Sequence, residues 1–159
     1  MADLRPASQG KTLLIVEDDI LPAIDLKQEL EDSGFRVLEL TSRPGEALAA
    51  ARDGAPDLAL VNIELHGRDD GIDLASRFKA MGIPVLFISG QSDRARTART
   101  VAVGSLSKPY YPAEIAQAVH YLLARLAGDA SQPKPPSLEV FEDEITDASA
   151  DPGAEGSVA

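Results

Sequence analysis

LLIVEDD, Leu13 to Asp19, and PDLALVN, Pro56 to Asn62, decide how this chain folds. Each is a continuous apolar run of strand length that ends in polar residues. A run of about four to eight apolar residues without alternation suits a strand buried on both faces, as in a parallel sheet. PVLFIS, Pro84 to Ser89, repeats the pattern, and a weaker run, Val103 to Ser107, leads into Lys108-Pro109. The four runs end in carboxylates, an amide, a hydroxyl and an amine.

Between these runs the spacing turns helical. Ile20 to Ser33 carries Leu21, Ile24, Leu26 and Leu30 at roughly helical intervals. Pro22 fits its first turn, and Gly34 fits its C-terminal cap. Phe35 to Leu40 alternates as a second strand. Thr41 or Ser42 can cap a helix that opens with Pro44 and runs to about Asp53 through Ala47, Leu48 and Ala51. HGRDDG, His66 to Gly71, is a turn-rich loop before a helix from about Ile72 to Met81, which Gly82 stops. Gly90 to Thr100 reads as a short polar helix with Arg94, Arg96 and Arg99. Pro112 to Ala127 is amphipathic, with Ile115, Ala118, Val119, Leu122, Leu123 and Leu126 on one stripe. Strands alternating with helices of this length imply right-handed βαβ units and a doubly wound, five-stranded parallel α/β sheet. Such a sheet gathers functional residues at the carboxyl ends of its strands, beside the switch in strand order.

Composition bounds the rest. The chain has 159 residues, 44% of them apolar, enough for one domain with a full core over residues 11–127. Residues 1–10 read as a flexible leader without the apolar segment of a secretory signal. No apolar run approaches the roughly 18 residues a membrane span needs. Cysteine is absent, which excludes disulfides and thiolate metal sites and is compatible with a cytoplasmic location. A net charge of -11 argues against nucleic acid and anionic membrane as partners. Residues 128–159 carry -7 of that charge. Their Pro-rich SQPKPP and their polar end, DASADPGAEGSVA, are expected to be disordered. Between them Leu138, Phe141 and Ile145 are spaced i, i+3, i+7, which predicts a short helix over 138–145. That helix is either part of a free acidic tail or a segment folded back on the basic helix of 90–100, masking it. His66 and His120 stand isolated and read as surface polar residues.

Carboxylates, a hydroxyl and an amine at neighbouring strand ends form a site for one phosphoryl group and one divalent cation. Hard Mg²⁺ takes carboxylate, carbonyl and water oxygens, and a fixed ammonium stabilises phosphoryl oxygens. The order Glu17-Asp18-Asp19, Asn62, Ser89 and Lys108-Pro109 resembles the receiver domain of bacterial two-component response regulators, a (βα)5 flavodoxin-like fold. The resemblance covers residues 11–127. It implies an aspartyl phosphate formed at the position of Asn62, phosphoryl oxygens bound by Ser89 and Lys108, and a cis peptide before Pro109. It implies Mg²⁺ held by Glu17, Asp18, the side chain at 62 and the backbone carbonyl of Glu64. It places an aromatic switch at Ser105 and a partner face on the fourth helix, fifth strand and fifth helix, where Arg94, Arg96, Arg99, Tyr110 and Tyr111 fall.

Two residues depart from that pattern. Asn62 is neutral, and an amide oxygen is a very poor nucleophile, so the acceptor is disabled and Mg²⁺ binding is weakened. Ser105 is too small to act as an aromatic switch. The favoured expectation is a stand-alone, non-enzymatic receiver-like protein of a phosphorelay that works by binding. Its partner is a histidine kinase, a phosphotransferase or another regulator, and a homodimer through the fourth and fifth helices is a further arrangement. One alternative is an ordinary aspartyl-phosphate regulator carrying an Asp-to-Asn substitution, or transfer to Glu64 or Asp69. A haloacid-dehalogenase-like phosphatase is disfavoured, because it needs a DxD nucleophile after the first strand and a cap insertion, and here the strand ends in EDD.

Overall fold

The computed structural model describes residues 10–149, except 69. The elements run β1 (Thr12–Val16), α1 (Ile20–Asp32), β2 (Arg36–Val37), α2 (Pro44–Gly54), β3 (Leu58–Asn62) and α3 (Asp70–Ala80). They continue as β4 (Val85–Ser89), α4 (Ser92–Thr97), β5 (Gly104–Ser107), α5 (Pro112–Leu126), β6 (Leu138–Val140) and α6 (Glu142–Ser149). The strands form one sheet in the order β2-β1-β3-β4-β5-β6. The first five are parallel and follow the flavodoxin-like doubly wound order. The sixth is antiparallel.

The runs that read as buried strands are buried: β3 and β4 along their whole length, β1 from Leu13 onward. Period-2 alternation splits their side chains between two cores. Leu13, Ile15, Leu60 and Ile88 pack with Leu26 and Leu30 of α1 and Ile115 and Val119 of α5. Leu14, Val16, Val61 and Phe87 pack with Ala47 and Ala51 of α2 and Leu74 and Phe78 of α3.

Several expected elements shift. The second strand pairs over two residues, Arg36 and Val37, where Phe35 to Leu40 was expected. It lies at the sheet's edge with no fully buried face, so little apolar burial sets a longer ladder. Thr41 does not cap α2. Its hydroxyl donates to the Ile15 carbonyl (3.1 Å), and Arg43 takes the cap position without a side-chain bond. The expected stripe of α1 is divided: Leu26 and Leu30 are buried, whereas Leu21 is 71% and Ile24 50% exposed. Ala23 takes the core-facing place, because Leu21 and Ile24 lie off the Leu26–Leu30 side of the helix. His120 is half-buried, its ring 4.5 Å from that of Phe35.

The largest correction concerns the C-terminal segment. Residues 128–149 are placed here; 1–9 and 150–159, also expected to be loose, lie outside the described residues. In place of a helix over 138–145 the chain adds a strand to β5, turns at Phe141, and starts a helix at Glu142. Ser105 pairs with Glu139 and Leu106 with Leu138, while the Phe141 N–H donates to the Val103 carbonyl (2.9 Å). The spacing that read as one helical face serves two sides of a sheet edge. Leu138 and Ile145 join the α1–α5 core, and Phe141 joins the other. An open edge strand presents unpaired backbone donors and acceptors, and β6 satisfies those of β5. Acids of this segment meet bases of the domain: Glu139 with Arg96 (3.0 Å), Glu144 with Lys79 (2.8 Å), and Glu142 with Arg125.

Gly104 makes the docking close. A Cβ there would lie 2.8 Å from the Glu139 carbonyl oxygen and 3.4 Å from a Leu138 methyl. Gly104→Val is therefore expected to lift β6 from β5. Amide exchange across 138–149 should rise by about tenfold or more while the β1, β3 and β4 amides stay protected. Unchanged exchange in 138–149 would show that the edge tolerates the side chain.

Candidate functional site

Parallel strands with short loops bring their carboxyl ends to one rim. β1 lies between β2 and β3, so the strand order switches there, and a cleft opens at the ends of β1, β3 and β4. It encloses about 420 Å³. Glu17, Asp18, Asn62, Glu64, Ser89 and Lys108 all line it. Of the remaining residues singled out above, Ser105 is buried within β5, beside β6. Arg96, Arg99, Tyr110 and Tyr111 do not line the cleft, but Arg94 does. The peptide before Pro109 is cis.

Asn62 is the centre of the cleft. It is the last residue of β3 and 7% exposed. The two hydrogens of its Nδ2 are shared among three acceptors, Glu17 Oε1 (3.2 Å), Asp18 Oδ1 (3.3 Å) and the Glu64 backbone oxygen (2.7 Å). The other carboxylate atoms also have partners. Glu17 Oε1 accepts from the Asp19 N–H (3.0 Å), Glu17 Oε2 from Lys108 Nζ (3.3 Å), and Asp18 Oδ2 from the His66 N–H (2.9 Å). His66, at φ +53, turns that N–H inward. The Ser89 hydroxyl is taken up by its own loop, accepting from the Gln91 N–H (2.8 Å) and donating to the Gln91 carbonyl (3.1 Å).

The two carboxylates titrate apart. Burial pushes Glu17 above the usual glutamate range, outweighing the Asp19 N–H and the nearby Lys108 ammonium. Burial also acts to raise Asp18, but the His66 N–H and the hydrogen bonds from its other neighbours overcome it and hold Asp18 low.

Gly71 was not singled out by the sequence reading beyond closing a turn. Its N–H donates to the Ile63 carbonyl (3.0 Å), and a Cβ would stand 2.1 Å from the Asn62 carbonyl oxygen. The start of α3 thus presses on the end of β3 and holds Asn62 at the rim. The glycine in HGRDDG was the available signal, legible only once α3 is seen to cross β3. Arg94, read as part of an outer helix face, lines the mouth of the cleft because α4 is short and begins right after Gln91.

Residues 13–120 match the response regulator receiver domain family. The chain belongs to that family. It is 31% identical over 125 residues to the virulence transcriptional regulatory protein PhoP of Salmonella choleraesuis, covering 76% of this chain and 55% of PhoP. The chain spans about half the length of the curated relatives it matches. Among solved structures, a CheY-like response regulator receiver domain protein from Methanospirillum hungatei is 28% identical (TM-score 0.62; 72% of this chain and 94% of that one). The anti-anti-sigma factor PhyR from Bartonella quintana is 26% identical (TM-score 0.62; 74% and 50%). The receiver is a two-component signalling module, and members of the family typically hold Mg²⁺ at the acidic strand ends. No helix among the described residues is long and apolar enough to cross a membrane.

As arranged, the residues do not fit that ion. The oxygens that would surround it converge on an amide nitrogen, and its N–H bonds point at them.

Among the described residues Lys108 is the one ammonium paired with Glu17, 35% exposed against 5% for its partner. Lys108→Met leaves Glu17 buried without a counter-charge. It should cost about 1–2 kcal/mol at neutral pH in chemical denaturation, less than a fully buried pair because Lys108 is partly solvated. The raised Glu17 pKa should rise further. A folded-state pKa above the unfolded one makes stability fall as pH increases, so the loss should shrink below the usual glutamate range. A pH-independent loss would place the cost in packing.

Proposed function

We propose that this chain is a receiver that does not take a phosphoryl group at Asn62 and acts in a two-component pathway by binding protein. The observation that carries this reading is Asn62 itself, with its amide nitrogen bonded to Glu17, Asp18 and Glu64. Phosphoryl transfer to a receiver needs an anionic oxygen in line with the donor phosphorus. An amide offers a neutral oxygen of low basicity. Glu17, Asp18, Ser89 and Lys108 are then the framework of a phosphoryl site without its nucleophile, and Ser105 leaves it without an aromatic relay.

The surface supports binding through a different face from the one expected. β6 and α6 cover the exposed edge of β5 and engage Arg96 and Arg125, so that face is satisfied within the chain. The open apolar surface is on α1, where Ile20 (56%), Leu21 (71%) and Ile24 (50%) are exposed near the cleft. Tyr111, 76% exposed, caps the neighbouring helix α5. We assign this patch to a histidine kinase, a phosphotransferase or another regulator that presents an apolar helix face. PhyR of Bartonella quintana, to which the chain is similar, is named as an anti-anti-sigma factor.

Intact-protein mass after incubation with acetyl phosphate and Mg²⁺ tests the chemistry. The chain should stay unmodified, and Asn62→Asp should gain one phosphoryl mass. A gain on the unaltered chain would move the acceptor to another side chain and overturn the reading. It would favour transfer to Glu64 or to Asp69, which lies outside the described residues. For the face, Leu21→Glu should weaken binding to the cognate kinase or phosphotransferase by about tenfold or more, as expected for a central apolar anchor. Undiminished affinity would place the partner elsewhere.

A further inference from the structure

We propose that the Asn62 side-chain amide is a built-in substitute for the divalent cation of the acidic cleft. It locks the strand ends in one arrangement whatever the cation concentration. The inference rests on the reading of Asn62 as a disabled acceptor and extends it from the missing nucleophile to the missing ion.

Both carboxylates and the backbone carbonyl point at one atom. Nδ2 stands 3.2 Å from Glu17 Oε1, 3.3 Å from Asp18 Oδ1 and 2.7 Å from the Glu64 oxygen. The reverse amide orientation would set a carbonyl oxygen against three acceptors with no hydrogen between them, so the surroundings fix the nitrogen inward. The remaining carboxylate atoms are filled as well, Glu17 Oε2 by Lys108 and Asp18 Oδ2 by the His66 N–H. All four carboxylate oxygens of the pair therefore lie within hydrogen-bond reach of a protein donor, the two Nδ2 hydrogens being shared among Glu17 Oε1, Asp18 Oδ1 and the Glu64 oxygen. Among the described residues no buried side-chain polar atom lacks a partner.

A cation entering this site has to displace the amide from its acceptors before it finds a ligand. Mg²⁺ needs a close octahedral set of oxygens at about 2.0–2.1 Å and sheds water reluctantly. Here one direction of that set is filled by N–H groups. An aspartate at this position reverses the situation. Three carboxylates would converge with one ammonium between them, and a cation would be required to relieve the repulsion. Two separate effects thus oppose cation binding in this chain: the absent negative charge, and the donor group that occupies the place. Replacing Asn62 by a small apolar residue separates them, since it removes the donor and adds no charge.

The test is Mn²⁺ binding, read by the electron paramagnetic resonance of free Mn²⁺, on the full chain and on Asn62→Ala and Asn62→Asp. The unaltered chain should show no site. Asn62→Ala should bind at least tenfold more tightly than the unaltered chain, and Asn62→Asp most tightly. Equal binding by the unaltered chain and Asn62→Ala would overturn the proposal, leaving the missing charge as the sole cause. If Asn62→Ala does not fold, the unaltered chain decides. Its Asn62 side-chain NH₂ resonances should exchange slowly with water and stay fixed as MgCl₂ is added. A saturable shift of those resonances, with the Asp19 and His66 amides, would overturn the proposal. Neither readout depends on phosphoryl transfer. A chain that binds Mn²⁺ yet gains no phosphoryl mass would sink the substitute and spare the disabled acceptor.

Discussion

Burial on both faces of the central strands is the constraint from which the rest follows. Leu13 to Val16, Leu58 to Val61 and Val85 to Ile88 have helices above and below them, so none of their side chains reaches water. A polar side chain within such a run has no partner to satisfy it, and the cost of leaving it unpaired is of order 1–3 kcal/mol. Polar residues therefore wait for the strands to end. Because the strands are parallel, they end on the same rim. Glu17, Asn62 and Ser89 share one cleft for this reason of packing, before any reason of chemistry.

The cleft then has to solve its own electrostatic problem. Two carboxylates sit at its floor, one of them nearly buried. Lys108, two backbone N–H groups and the Asn62 amide share the task of satisfying them. The amide bonds both carboxylates and the Glu64 carbonyl at once, which a carboxylate at that place would repel. The residue on which the proposed loss of phosphoryl transfer rests is thus the one that satisfies the acidic floor. The proposed function by binding rests on the same residue that satisfies the acidic floor.

The sheet's far edge shows the same logic of satisfaction. β5 is short and would offer bare backbone groups to any partner strand. The chain closes that edge with its own residues 138–140, holds them with apolar plugs on both faces, and fastens β6 and α6 with ion pairs. The helix–strand–helix face is thereby engaged internally. The open apolar surface near the cleft shifts to α1, where Leu21 and Ile24 have no core to enter.

The sequence by itself determined the parallel sheet and the identity of its rim. Long apolar runs closed by acids, amide, hydroxyl and amine leave little choice once both faces must be covered. It determined the order of the first five strands and five helices, and it marked Asn62 as the anomaly. Only the tertiary structure decided the direction in which the Asn62 amide points, since that depends on acceptors from β1 and from the loop after β3. Only it gave Gly71 and Gly104 their meaning, because each is read against a backbone far away or not adjacent in sequence. It also decided that Leu138, Phe141 and Ile145 are divided among a strand, a turn and a helix and do not form one helical stripe. Three apolar residues at that spacing match a helical stripe, and the departure from it was decided by the unpaired backbone of β5, which no local pattern contains.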